Sequence, residues 1–164
     1  MAVTTRLTAM QEKKLQNHFG GKQFTLLYKA SVHAFSEYDF LSRCSNQGPT
    51  VMVIYGGPHV LGTYVKESYK KDERVPIVLF VFKEKEISQC NVGAYSPSKF
   101  LDDYNVRWQS SEFLINLRDK NVAINLDAAK KLGLPQNQPI SFEECEVFRC
   151  EGRFNQIILY RVLS

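Results

Sequence analysis

Several short stretches of this chain alternate apolar and polar positions with period two, and the clearest lies between Phe113 and Leu126. There Phe113, Ile115 and Leu117 alternate with Leu114, Asn116 and Arg118, while Val122, Ile124 and Leu126 alternate with Ala123 and Asn125. Successive side chains of a strand point to opposite faces, so the pattern predicts a hairpin with one buried face, turning at Arg118-Asp119-Lys120-Asn121. A second hairpin is predicted where Thr50–Tyr55 and Val60–Val65, rich in β-formers, flank the turn residues Gly56-Gly57-Pro58-His59. Phe24–Lys29, Glu144–Cys150 and Ile157–Tyr160 read as further strands. The continuous apolar run Pro76–Phe82 is too rich in β-branched and aromatic residues for a helix, and predicts a central strand covered on both faces.

Helical signals are fewer. Thr8 to Phe19 consists of good helix formers, with Thr8 and Gln11 spaced as a capping box and Gly20-Gly21 as a stop. Ser36 with Asp39 three positions on, and Phe35 with Phe40 as a hydrophobic staple, predict a helix from about Glu37 to Ser45. Its Phe40, Leu41 and Cys44 share a face, and Gly48-Pro49 cannot continue it. Asp127–Gly133 has an N-capping aspartate, two alanines, cations near the end and a terminal glycine, which predicts a helix of one to two turns. Hairpins with helices at their margins imply an α+β, mainly β fold: two antiparallel sheets packed as a sandwich with peripheral helices. Nothing repeats and no low-complexity linker divides the chain.

Composition agrees with one ordered domain. At 164 residues and 44% hydrophobic, the chain should bury roughly 70% of its unfolded surface without a disulfide framework. The net charge of +4 is spread, with 21 cations interleaved among 17 acidic residues, which argues against nucleic acid as a partner. The densest run, Lys66 to Arg74, alternates in sign and reads as a solvated loop; with exposed hairpin edges it is the first place to look for an interface. No stretch reaches the roughly 18 apolar residues of a membrane span. The opening Met-Ala-Val-Thr-Thr-Arg has neither a secretory apolar core nor the glycine for myristoylation, so the expected location is cytoplasmic. Cys44, Cys90, Cys145 and Cys150 lack C-x-x-C spacing and are expected to be reduced and mostly buried.

Candidate chemistry is sparse. His18, His33 and His59 stand near a helix end, before a helix and in a turn, with no nucleophile elbow or metal-ligand spacing around them. Neither a P-loop nor GxGxxG is present, and the pairs Gly20-Gly21 and Gly56-Gly57 read as a helix stop and a turn. Glu143-Glu144 with Glu146, and Asp102-Asp103, read as a solvated edge and a turn. Trp108 reads as a core or sheet-face aromatic. No catalytic, cofactor-binding or metal-binding residue is nominated, and no partner-binding residue is singled out. The expected function is therefore non-enzymatic protein binding. The alternative is redox protection by a reactive cysteine, with Arg43 beside Cys44 or Arg149 beside Cys150 favouring the thiolate.

Specific residues also carry a family resemblance. Leu26-Leu27-Tyr28-Lys29-Ala30-Ser31, Phe35, Phe40, Cys44 and Gly48-Pro49-Thr50 resemble the amino-terminal signature of TLDc domains, and Glu146-Val147-Phe148 resembles their closing strand. Met1 to Thr8, Gln16 to Lys22 and Glu144 to Glu151 are similar to the interferon-induced members of that family. The resemblance implies a TLDc-like domain over residues 1–151, including the amino-terminal helix, followed by a divergent carboxyl-terminal tail over 152–164. It also implies a non-enzymatic interaction module of the interferon-induced antiviral and innate immune response, with cytoplasmic protein partners and no cofactor. Longer relatives are expected to carry a GTP-binding domain after this one. The chain departs from the family in lacking a glycine-rich segment before its late strands, and in having Ser68-Tyr69 where a tryptophan is common.

Overall fold

A computed structural model describes residues 3–101, 113–136 and 138–153. In chain order the elements are α1 (Ala9–His18), β1 (Lys22–Lys29), α2 (Ala30–His33), α3 (Glu37–Cys44), β2 (Thr50–Gly56), β3 (His59–Val65), β4 (Val75–Lys83), β5 (Glu86–Tyr95), α4 (Pro97–Phe100), β6 (Leu114–Asn116), β7 (Asn121–Ala123), α5 (Leu126–Leu132), β8 (Ile140–Ser141) and β9 (Glu144–Arg153). Among the described residues they form a six-stranded sheet, ordered β1-β9-β2-β3-β4-β5, and a three-stranded sheet, ordered β6-β7-β8. Every neighbouring pair is antiparallel. The α+β, mainly β class with two packed antiparallel sheets and peripheral helices is thus the observed one.

Strand alternation sends the large sheet's side chains into two cores. One face places Met52, Ile54, Leu61, Leu79, Cys145 and Val147 against Phe40 of α3, Ala129 of α5, and Ile115, Val122 and Ile140 of the small sheet. The opposite face places Val51, Val53, Tyr55, Phe80 and Phe148 under Leu15 and Phe19 of α1. Gly62 is required where these layers meet, since a Cβ there would lie 1.8 Å from the Met52 carbonyl oxygen and 2.7 Å from the Phe80 ring. The capping signals act as expected at two helices. Thr8 and Gln11 make the reciprocal capping box of α1, and the Ser36 hydroxyl accepts from the Asp39 N–H at the start of α3.

Other elements depart from the sequence expectation. Pro76–Phe82 lies within β4, the fifth strand in the order, where Ile77, Leu79 and Val81 are buried but Pro76 is exposed and Val78 and Phe82 are half-buried. Within the large sheet, the described strand buried at every residue is β2, because the ten-residue α1 spans only ~15 Å and cannot cover the whole second face. The Phe113–Leu126 hairpin forms, but it turns over Leu117–Lys120. The Asn116 side chain causes that shift by accepting from the Asp119 N–H at 2.8 Å, and Lys120 takes φ +58°. Its first strand is buried at all three residues instead of on one face. α5 is capped by Asn125, whose Oδ1 accepts from the Ala128 N–H at 2.8 Å, and Asp127 falls in its first turn. β5, β8, α2 and α4 carry no periodic signal in the sequence. The expected strand Ile157–Tyr160, the pair Asp102-Asp103 and Trp108 lie outside the described residues.

Candidate interaction site

Glu143, Glu144 and Glu146 are near neighbours in sequence and meet three different environments. Glu143 is exposed, with its carboxylate 3.0 Å from the Arg6 guanidinium. Glu144 and Glu146 are buried, which corrects the expectation of a solvated acidic edge. The reason is topological: β9 returns from the chain's far end to lie between β1 and β2, inside the sheet. A buried carboxylate needs several partners, and Glu146 has them. It accepts from the Thr5 hydroxyl at 2.9 Å, the Arg6 N–H at 3.0 Å and the Tyr55 hydroxyl at 2.5 Å, with Lys29 Nζ at 3.8 Å. Burial, reinforced by the Glu146 carboxylate, raises the Tyr55 pKa far above its ordinary value, so this hydroxyl stays a donor. Glu144 accepts from the N–H groups of Ser31 at 3.0 Å and Cys145 at 3.1 Å.

These two carboxylates hold the β1 end of the sheet together. Glu146 ties down the segment Thr5–Leu7, and Lys29 Nζ adds a hydrogen bond to the Thr4 carbonyl at 2.7 Å. Glu144 holds α2, and α1, α2 and α3 all pack against β1. The Tyr28 hydroxyl secures the end of α2 by donating at 2.7 Å to the carbonyl of Ala34, a non-glycine residue at φ +93°.

The β5 end is finished differently. β5 is last in the order, and among the described residues no strand pairs with its outer side. The two-residue turn Glu84-Lys85, with Glu84 at φ +56°, closes a continuous β4–β5 ladder from Lys83↔Glu86 to Val78↔Asn91. A tight two-residue turn makes its flanking pair hydrogen-bonded, and bonding then alternates along an antiparallel ladder. Ile87, Gln89 and Asn91 consequently direct their N–H and C=O groups away from β4. A register shift around Val92, with Gly93 at φ +109°, ends this regular edge.

Helices flank β5 on both faces. On one, His18 Nε2 of α1 lies 2.6 Å from Gln89 Oε1, and Lys14 Nζ donates to the Lys85 carbonyl. A cleft of about 410 Å³ separates α1 from the turn, lined by Lys14, Asn17, His18, Lys85, Glu86 and Ile87. On the other, Lys131 of α5 acts electrostatically on Cys90, and Lys83 reaches Gly133 at the end of α5. Among the described residues, no ion pair engages Lys14, Lys83, Lys85 or Lys131.

The remaining sequence candidates are dispersed. His33 Nδ1 accepts from the Lys29 N–H at 3.0 Å, and its pKa is lowered by partial burial and by Arg43. His59 lines a separate cleft of about 500 Å³ between the β2–β3 turn and Pro139–Glu143. The segment Lys66 to Arg74 is exposed as expected except around Ser68 and Tyr69. Tyr69 is buried as a core plug between Phe40 and Phe100. All four cysteines are free thiols. Cys145 and Cys150, five positions apart on β9, face opposite cores. Burial raises Cys44 and Cys145 strongly, Cys150 to about 12 and half-buried Cys90 less. Arg43 opposes the burial of Cys44 without overcoming it. The cation acting on Cys150 is Lys22, because Arg149 is engaged by Glu151 at 2.5 Å and Gln47 at 3.3 Å.

Comparison with known proteins adds lineage to this geometry. The sequence profile of the TLDc domain family matches residues 3–142. Interferon-induced protein 44 of Pan troglodytes and that of Homo sapiens are each 45% identical to the chain over 157 residues, covering 95% of the chain and 35% of the relative. Interferon-induced protein 44-like of Homo sapiens is 32% identical over 93% of the chain. The chain therefore spans about a third of the length of the curated relatives it matches.

Proposed function

Because the chain belongs to the TLDc domain family, we propose that it is a non-enzymatic protein-interaction domain of the interferon-induced antiviral response, acting in the cytoplasm as a scaffold or regulator. The observation that carries the interaction reading is the asymmetry of the large sheet. One end is fastened by buried carboxylates, and the other presents a regular strand edge flanked on both sides by lysines that make no ion pair among the described residues. The names of the relatives support the interferon-linked process, and neither the family nor those relatives point to a catalytic activity. Among the described residues, no helix is long and apolar enough to cross a membrane. The two thirds of the relatives' length outside the match supply a further candidate partner.

Redox protection would need a thiolate near neutral pH, and burial moves all four thiols away from that state, so the geometry favours the interaction reading. The test is affinity capture from interferon-treated cells with the chain as bait, followed by pairwise binding of each purified candidate. Phe80→Asp, which puts a charge in the core beneath Phe19, is the unfolded control. A partner that binds directly and is lost with the control supports the proposal. Failure of every captured protein to bind the purified chain overturns it.

A further inference from the structure

We propose that the outer edge of β5, which no strand pairs among the described residues, receives an extended acidic segment of a partner protein as a further strand of the large sheet. This rests on the interaction reading above and supplies its location and its chemistry. Strand addition draws affinity from main-chain hydrogen bonds and selectivity from side chains flanking the edge. The regular edge from Glu86 to Asn91 spans ~20 Å and offers the outward groups of Ile87, Gln89 and Asn91. The irregularity at Val92 and Gly93 twists the strand beyond it, so the docked segment is limited to about six residues.

Charge selects the occupant. Lys14 and Lys85 lie on the α1 side of β5, and Lys83 and Lys131 on the α5 side. An added strand alternates its side chains between the two sheet faces. Acidic residues at adjacent positions would thus meet cations on both sides; Glu84 and Glu86 stand with Lys14, Lys83 and Lys85 at the turn, three cations against two acids, and Lys131 lies farther along the edge beside Cys90. A second copy of the chain is disfavoured as the occupant, because edge-to-edge pairing would set one copy's lysines against the other's. The same lysines that discourage self-pairing, as edge charges commonly do, favour an acidic strand.

The direct test measures binding of the whole chain to a labelled octapeptide, Thr-Glu-Glu-Val-Glu-Glu-Thr-Val, by fluorescence anisotropy. The same peptide with lysine for glutamate, a short single-stranded RNA and the unlabelled chain itself serve as rivals. The acidic peptide is expected to bind at least about tenfold more tightly than the basic one, and to weaken when salt is raised to about 0.3 M. Gln89→Pro removes an outward N–H that no strand uses among the described residues, and should cost at least about tenfold, with Gln89→Ala within about threefold of the parent. Lys14→Glu combined with Lys131→Glu should cost at least about tenfold by an independent route. Circular dichroism and thermal unfolding establish that each variant is folded, and the lysine pair keeps the test valid if the proline variant is not.

Equal binding of the two peptides, undiminished binding by folded Gln89→Pro, or no peptide binding at all overturns the proposal. RNA binding tighter than the acidic peptide's, or dimers that compete with the peptide, overturns it in favour of another occupant. Such failures leave the interaction reading standing, since that falls only when no captured protein binds the purified chain.

Discussion

The large sheet ends in two strands of similar length, eight residues in β1 and ten in β5, which the rest of the chain finishes in opposite ways. Beside β1, the carboxylates of β9 gather the amino-terminal segment, Tyr55, Lys29 and α2 into one hydrogen-bonded assembly. At β5, the helices approach from either face, and among the described residues no strand takes up the outward backbone groups. The difference separates stability from availability. A buried polar cluster has one geometry that satisfies all its members, so it resists rearrangement. An edge whose polar groups face water loses little by exchanging that water for a partner strand.

The comparison breaks most severely at Glu146. Glu146→Ala leaves the Tyr55 hydroxyl, the Thr5 hydroxyl and the Lys29 ammonium without their common acceptor. It should lower unfolding stability by about 3 kcal/mol, and the unfolding temperature by roughly 6–12 °C. A urea unfolding curve checks this, and a loss below about 1 kcal/mol would show that the assembly is not what fastens this end. Tyr55→Phe keeps the ring and removes one donor, so its expected loss is smaller, about 1–2 kcal/mol by the same measurement. Gln89→Pro at the opposite end should change stability by less than about 1 kcal/mol, because it removes no ladder bond to β4. An equal or larger loss there than at Tyr55 would reverse the assignment of the two ends.

The smallest expected effect belongs to pH. The hydrogen bond from the Lys29 N–H requires neutral His33, whose folded pKa lies below the ordinary value near 6.5. Below that value the unfolded chain protonates His33 more readily than the folded one does. The ring's contribution is therefore present above about pH 6.5 and declines as pH falls below it. Comparing parent with His33→Gln by urea unfolding, the stability difference should be larger at pH 7.5 than at pH 5.5. A difference that grows on acidification would give this histidine a cationic role instead.

Legibility in the sequence follows the range of the interaction involved. The capping box of Thr8 and Gln11 and the Ser36 cap join residues three apart, and the turn at Gly57-Pro58 is equally local. Local rules also mislead where a competing short-range bond wins, as when the Asn116 side chain moves the turn ahead of Arg118 and Asn125 takes the cap assigned to Asp127. β5 escaped notice because an edge strand has no consistently buried face and so needs no period-two pattern. Glu144 and Glu146 read as solvated because their sequence neighbourhood is acidic. Thr5 and Arg6, which bond Glu146, lie about 140 positions away, and Ser31, which bonds Glu144, lies 113 away, and no spacing rule connects them.

What the sequence determined by itself was the inventory: which segments alternate, where helices start and stop, and which residues must be glycine or aromatic. Those properties follow from backbone sterics, local hydrogen bonds and the fraction of apolar surface, all fixed within a few residues. Only the tertiary structure decided that β9 enters between β1 and β2, burying two glutamates, and that β5 is left at the rim between two lysine-bearing helices. Strand order is settled by the joint burial of both sheet faces. That condition holds over the whole chain at once and has no representation in any short window of it.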